Sequence, residues 1–215
     1  MDFLENIGIK IKDKDLLLTA LTHSSYGNEK KVPDYERLEF LGDAILQIII
    51  SEYFYIYTDL LEGEMTKKRA AYVCERALAQ YSADLGLRPF IRLGRGQKKN
   101  LGDTILADIF ESTLGSIYLS NGYRDAKRLV YKVVVPYIKG NHPFTNDYKS
   151  LLQELIQTTK QSLEYITVKE SGPAHNKTFV VEVRVNDIIY GKGTGKNKKE
   201  AEQMAAYSAY KKKAK

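Results

Sequence analysis

The chain has 215 residues, a net charge of +6 and a single cysteine, Cys74. That length holds one medium and one small domain, each able to bury a core without disulfides or zinc, and one cysteine excludes an internal disulfide or a multi-thiolate metal site. No stretch approaches the roughly 20 apolar residues of a membrane span, and the opening MDFLENIGIKIKD does not read as a signal peptide, so a cytoplasmic setting is expected.

Up to about residue 138 the pattern is helical. Asp15–Leu21 is a short apolar-rich segment. Tyr35–Asp59 is a long helix in which Leu38, Leu41, Ile45, Ile48 and Ile49 recur at helical spacing, with Phe40 and Ala44 widening the stripe. Thr66–Gly86 repeats the pattern through Val73, Ala77, Leu78 and Tyr81, with Gly86 as C-cap and Cys74 inside the helix as an inert core residue. Thr104–Asn121 and Tyr123–Tyr137 follow. No alternating strand pattern stands out before residue 160.

The segment KGNHPFTN reads as a linker, dividing the chain into 1–140, a linker at 141–146, and 147–215. Beyond it, Asp147–Lys160 is an amphipathic helix capped by Asp147. Ser162–Lys169, Thr178–Val185 and Asp187–Thr194 read as strands, and Lys198–Lys212 is an Ala-rich helix. This α-β-β-β-α order predicts a three-stranded antiparallel sheet with both helices on one face, an α+β domain. The charge follows the division: residues 1–145 carry 20 Lys/Arg against 19 Asp/Glu, and residues 146–215 carry 13 against 8. The basic excess of the last third suits a polyanion.

The densest chemical signal is YERLEFLGDAIL. Glu36, Glu39 and Asp43, three and four apart, share one helix face among core-type residues. Asp108 and Glu111, in ILADIFESTLGS, form a second set, and Glu64 precedes a further helix. Brought together, Glu39, Asp43, Asp108 and Glu111 make an oxygen-only cluster suited to hard divalent cations. Spacing alone leaves open a solvated acidic face or intersubunit salt bridges. The three histidines, His23, His142 and His175, are scattered, which does not suit paired-histidine ribonuclease chemistry, and His23 reads as a structural hydrogen-bonder.

The segment ERLEFLGDAIL resembles the signature of the ribonuclease III family. LTHSSY upstream, Glu64 with its following basic residues, and ILADIFESTLGSIYL match that family in order, so the resemblance spans essentially the whole chain. It implies an all-α endonuclease domain that hydrolyses double-stranded RNA with a metal-activated water, leaving 5′-phosphate and 3′-hydroxyl ends, in the processing of structured rRNA and mRNA precursors. It implies Glu39, Asp43, Asp108 and Glu111 as metal ligands, with Asp43 and Glu111 catalytic and Glu36 and Glu64 as supporting acids. It further implies magnesium, with manganese able to substitute, a homodimer using Phe40 at its interface, and no membrane or organic cofactor. The loop Gly94–Asp103 departs from the family pattern: it is shorter, with Gln97 where glutamate is common.

The segment 147–215 resembles a double-stranded-RNA-binding domain. The resemblance implies that Gln153 and Glu154 meet minor-groove 2′-hydroxyls. It places Pro173, Ala174 and His175 in a second minor groove, and Lys196, Lys198 and Lys199 on the intervening phosphates. For the lysines alone, a solubilising face is the competing reading. For the whole chain it is a non-catalytic RNA-binding protein, which loss of a cluster carboxylate would favour; none is lost.

Overall fold

The computed structural model describes residues 2–97, 101–142, 144, 147–157, 162–173 and 177–213. The chain divides into two compact units, Met1–Phe144 and Thr145–Lys215.

The first unit is helical: α1 (Asp2–Glu5), α2 (Lys14–Ala20), α3 (Ser24–Lys30), α4 (Glu36–Tyr57), α5 (Glu62–Tyr72), α6 (Glu75–Asp84), α7 (Asp103–Asn121), α8 (Tyr123–Val133) and α9 (Val135–Lys139). Among its described residues no strand forms, and Thr22 and Arg92 make one isolated bridge. α7 is the central helix, with Ile109, Phe110, Leu114 and Ile117 fully buried, and α4, whose Leu46, Ile49 and Ile50 are also fully buried, packs along it. Glu36 and Glu39 in the first turn of α4 favour its positive end. Contrary to the expectation that no stretch approaches a membrane span, α4 is long and apolar enough to cross one by length and composition alone, as the core helix of a globular unit can be, and its buried face belongs to this core.

Four further expectations are corrected. Thr66–Gly86 is two helices: α5 ends at Tyr72, and Cys74, in extended conformation, is the N-cap of α6 rather than a mid-helix residue. Both helices face one core, so the apolar period runs on across the break. Tyr123–Tyr137 is likewise split at Val134, because Pro136 lacks the N–H that a continuous helix would use. On α4, Phe40 is 82% and Ile48 56% exposed, so they lie off the buried stripe and, with Tyr55 at 79%, form a second, exposed apolar face. Finally, Phe144, inside the expected linker, packs against Tyr137 and Tyr81 with ring centroids 4.9 and 5.5 Å apart, and so belongs to the first unit. Gly86, with φ +65°, lies just past α6 as expected of a C-terminal glycine.

The second unit contains α10 (Tyr148–Gln157), β1 (Leu163–Ser171), β2 (Thr178–Val185), β3 (Ile188–Gly195) and α11 (Lys198–Lys213), with antiparallel order β1-β2-β3. Asn186 and Asp187, both at positive φ, make the two-residue hairpin turn between β2 and β3. Both helices pack on Val181, Val183 and Val185 through Leu152, Ile156, Ala201, Ala205 and Ala209. The glycines of β3 have a steric reason. A Cβ on Gly191, Gly193 or Gly195 would lie 2.1–2.5 Å from the backbone of α11. Glycine on the strand and alanine on the helix let the two backbones touch.

Candidate active site and RNA-binding surface

The site of the first unit is made by the crossing of α4 and α7, and glycines set how close they come. A Cβ on Gly42 would lie 1.8 Å from the carbonyl oxygen of Glu111; one on Gly115 would lie 2.4 Å from that of Leu38. The helices therefore meet backbone to backbone. Glu39 and Asp43 lie one turn apart on α4, and Asp108 and Glu111 nearly one turn apart on α7. Carboxylate oxygens of Glu39, Asp108 and Glu111 lie within 4.8 Å of one another, each half-buried.

Asp43 stands beside this group rather than within it. The side-chain amide of Gln47, one turn on, donates toward both of its oxygens at 3.0 Å. It is still close enough to act electrostatically on its neighbours. Burial, then the charges of Asp43, Glu39 and Asp108, push Glu111 up to about 8. Burial, then Asp108, Glu36 and Asp43, push Glu39 up to about 6. Asp108 is also raised, chiefly by burial, against the opposing effects of a hydrogen bond from Tyr35 and the charge of His23. Tyr35 donates its phenolic O–H to Asp108 Oδ2 at 2.7 Å, and burial followed by that bond holds its own proton far above the ordinary phenol range.

Half-buried acids that raise one another are a strained arrangement without a counter-charge. Their donor set is oxygen only, which suits a hard divalent cation and not zinc. The residues fit such an ion.

The other predicted residues fall as follows. Glu36 is exposed at the rim, near enough to act on Glu39. Glu64 accepts from the N–H of Leu61 at 2.9 Å, capping α5. His23 is the N-cap of α3, a helix that the sequence reading missed; its Nδ1 accepts from the N–H of Ser25 at 3.0 Å, a structural role as expected. The loop after Leu93 is anchored on α3 by Gly94 N–H to Ser25 Oγ at 3.0 Å and Arg95 N–H to Glu29 Oε1 at 2.8 Å. Residues 98–100 lie outside the described residues. Tyr35 and Gln47 were not singled out from sequence. Gln47 carried a usable signal, since Gln and Asp four apart on a helix are natural partners.

In the second unit, Lys196, Lys198 and Lys199 are all exposed around the start of α11. Asn197 Oδ1 accepts the N–H of Glu200 at 2.8 Å, and Glu200 accepts the N–H of Lys196 at 2.7 Å, so these two amides already have side-chain partners. Gln153 is exposed on α10, and Pro173 is exposed between β1 and β2. The side chain of Glu154, and Ala174 and His175 entirely, lie outside the described residues. Asp147 caps α10 through Ser150. Tyr207 packs on Tyr148 at 4.6 Å between centroids, as a helix-packing aromatic.

A helical carboxylate centre of this kind, in a chain that also carries an α-β-β-β-α basic unit, defines a metal-dependent nuclease class. The comparisons agree. Residues 13–138 match the family described as Ribonuclease-III-like, and residues 148–213 match the double-stranded RNA binding motif. A protein named Ribonuclease 3 from Listeria monocytogenes is 46% identical over 214 residues, covering 95% of this chain and 93% of that protein. One of the same name from Streptococcus uberis is 45% identical, covering 96% and 94%. Among solved structures, the nuclease domain of ribonuclease III from Campylobacter jejuni superposes with TM-score 0.57 at 36% identity, covering 63% of this chain and 95% of that one. The chain belongs to the ribonuclease III family.

Proposed function

We propose that this chain is a cytoplasmic endoribonuclease that cuts double-stranded RNA with magnesium, manganese being able to replace it, and processes structured rRNA and mRNA precursors. The observation that carries the reading is the convergence of Glu39, Asp108 and Glu111 within 4.8 Å at a crossing that two glycines hold closed. Glu39, Asp108 and Glu111 would hold the ion, and Asp43 would join them once Gln47 yields its carboxylate. When bound, the ion supplies Lewis acidity: it activates water and offsets charge on the scissile phosphate. Asp43 and Glu111 are the acids assigned to catalysis, and Glu36 and Glu64 support the site. The products assigned are 5′-phosphate and 3′-hydroxyl ends.

A second copy of the chain is the partner assigned to the exposed face of Phe40, Ile48 and Tyr55. The Campylobacter jejuni structure is described as having a region involved in dimer formation. Two copies would cut one strand each, matching the pseudo-two-fold of the duplex. In the second unit Gln153, Glu154, Pro173, Ala174 and His175 are assigned to the two minor grooves and Lys196, Lys198 and Lys199 to phosphates.

A salt series tests the RNA-binding part. Duplex RNA should displace a labelled RNA duplex far better than duplex DNA does, because A-form shape and 2′-hydroxyls are what the unit would read. Changing Lys196, Lys198 and Lys199 to Ala should weaken binding to all duplex sequences alike. It should also lower the slope of log affinity against log salt by up to roughly one per lost phosphate contact. Equal competition by DNA, or an unchanged slope, contradicts these assignments.

A further inference from the structure

We infer that Tyr35 is a positioning residue of the carboxylate centre: its O–H holds one oxygen of Asp108 and so sets the direction in which that carboxylate meets a cation. The inference rests on the reading of Asp108 as a cation ligand.

The bond is 2.7 Å, still within the range for a hydroxyl donating to an ionised carboxylate, at its long end. It joins residues 73 apart in sequence: Tyr35 is the N-cap of α4 and Asp108 lies on α7, so it spans the same gap as the site. Tyr35 has little freedom to do otherwise. It is 4% exposed, and its N–H donates to the carbonyl of Thr22 at 2.9 Å. The ring of His23 stands edge-on to it at 5.6 Å, and His23 is itself fixed by Ser25.

The chemistry of the donor matters too. A lysine or arginine here would hold Asp108 but also neutralise it, competing with the cation. A phenol is neutral: it takes one lone pair of the carboxylate and leaves the negative charge and the remaining lone pairs available. A bare aspartate can rotate about its terminal torsion. Held by Tyr35, it need not be ordered by the arriving ion, so part of the ordering cost of binding is already met in the folded chain.

The bland alternative is that Tyr35 is only a core aromatic, since its ring belongs to the apolar cluster of the first unit. Tyr35→Phe separates the two, because it keeps the ring and removes the donor. Binding of Mn²⁺ to the full chain, followed by the electron paramagnetic resonance of the free ion, is the readout. Near-ultraviolet circular dichroism checks that the core is intact. Tyr81→Phe is the control: it removes another buried hydroxyl from the same core, one that donates to the carbonyl of Tyr72 and not to the centre.

Tyr35→Phe should bind Mn²⁺ about tenfold more weakly, the usual scale for losing a group that orients a metal ligand. Tyr81→Phe should bind it as the parent does, and duplex RNA affinity in chelator should be unchanged in both. Parental Mn²⁺ affinity in Tyr35→Phe overturns the inference. An equal loss in Tyr81→Phe also overturns it, by making the effect a general consequence of a weakened core. If the parent itself binds no Mn²⁺, the metal-centre reading fails first and the inference fails with it.

Discussion

Glu111→Gln is expected to lower cleavage of duplex RNA by roughly a thousandfold while leaving duplex binding intact, the scale of losing several kcal/mol of metal-supplied stabilisation. The substitution keeps shape and removes the charge of the deepest acid of the centre. It has a second expected effect of opposite sense. The carboxyl of Glu111 is pushed up to about 8 in the folded chain, against an ordinary glutamate value near 4.3 in the unfolded one. A raised folded value means that the folded state holds the proton more tightly. Its contribution to stability is therefore full below about pH 4.3 and is lost as pH rises through 8. Glu39, pushed up to about 6, acts in the same direction over a lower range. Without a cation, the parent should therefore melt progressively lower from pH 5 to pH 8. Glu111→Gln should flatten that decline and melt higher than the parent at pH 8. Added magnesium should raise the parent's melting temperature most at the upper end of the range, and the variant's little. Melting curves in chelator and in magnesium across that range, with a cleavage assay alongside, read both effects. Near-parental cleavage by Glu111→Gln would remove it from the centre. A parent more stable at pH 8 than at pH 5 in chelator would contradict the electrostatic account.

Gly42→Ala is expected to be nearly as damaging although it adds one methyl group and no charge. The new Cβ would fall 1.8 Å from the carbonyl oxygen of Glu111, which is helix backbone and cannot swing aside. α4 and α7 must move apart, which strains the most heavily buried crossing of the unit. Overpacking of this kind costs about 1–3 kcal/mol or more, which for a unit of this size lowers the melting temperature by roughly 5–10 °C. The same displacement carries Glu39 and Asp43 away from Asp108 and Glu111. Cation affinity and cleavage should therefore fall even at temperatures where the variant is fully folded. Gly63→Ala is the matched control, because a Cβ there has nothing within 4 Å. A Gly42→Ala variant with parental stability and activity would mean that the close crossing does not define the site.

How much of this was legible beforehand follows from the kind of information each feature needs. The acids of α4 and α7 could be read because their spacing is a helical property and their family segment is long. Their meeting could not be read from periodicity, since it depends on Gly42 and Gly115 facing each other across the crossing. Tyr35 was invisible for the same reason: its partner lies 73 residues away. Gln47 could have been found, being four residues from Asp43 on one helix. The apolar period of α4 located a helix but not its buried side, so Phe40 and Ile48 were placed on the core stripe although they face solvent. The breaks at Cys74 and Val134 were hidden because both flanking helices turn toward the same core. In the second unit the strands and closing helix were read closely, and the glycines of β3 found their explanation only when α11 was seen lying on them.

The most direct test of the central claim is the purified chain acting on a long RNA duplex in magnesium, in excess chelator, and in chelator followed by restored magnesium. Short duplex products with 5′-phosphate ends are expected in the first and third conditions. An intact but still bound duplex is expected in the second, and no cutting of a single strand of the same sequence in any of them. Cutting that persists in chelator, or a duplex left whole in magnesium by folded protein that binds it, would contradict the assignment of the carboxylate centre as a metal-dependent nuclease site.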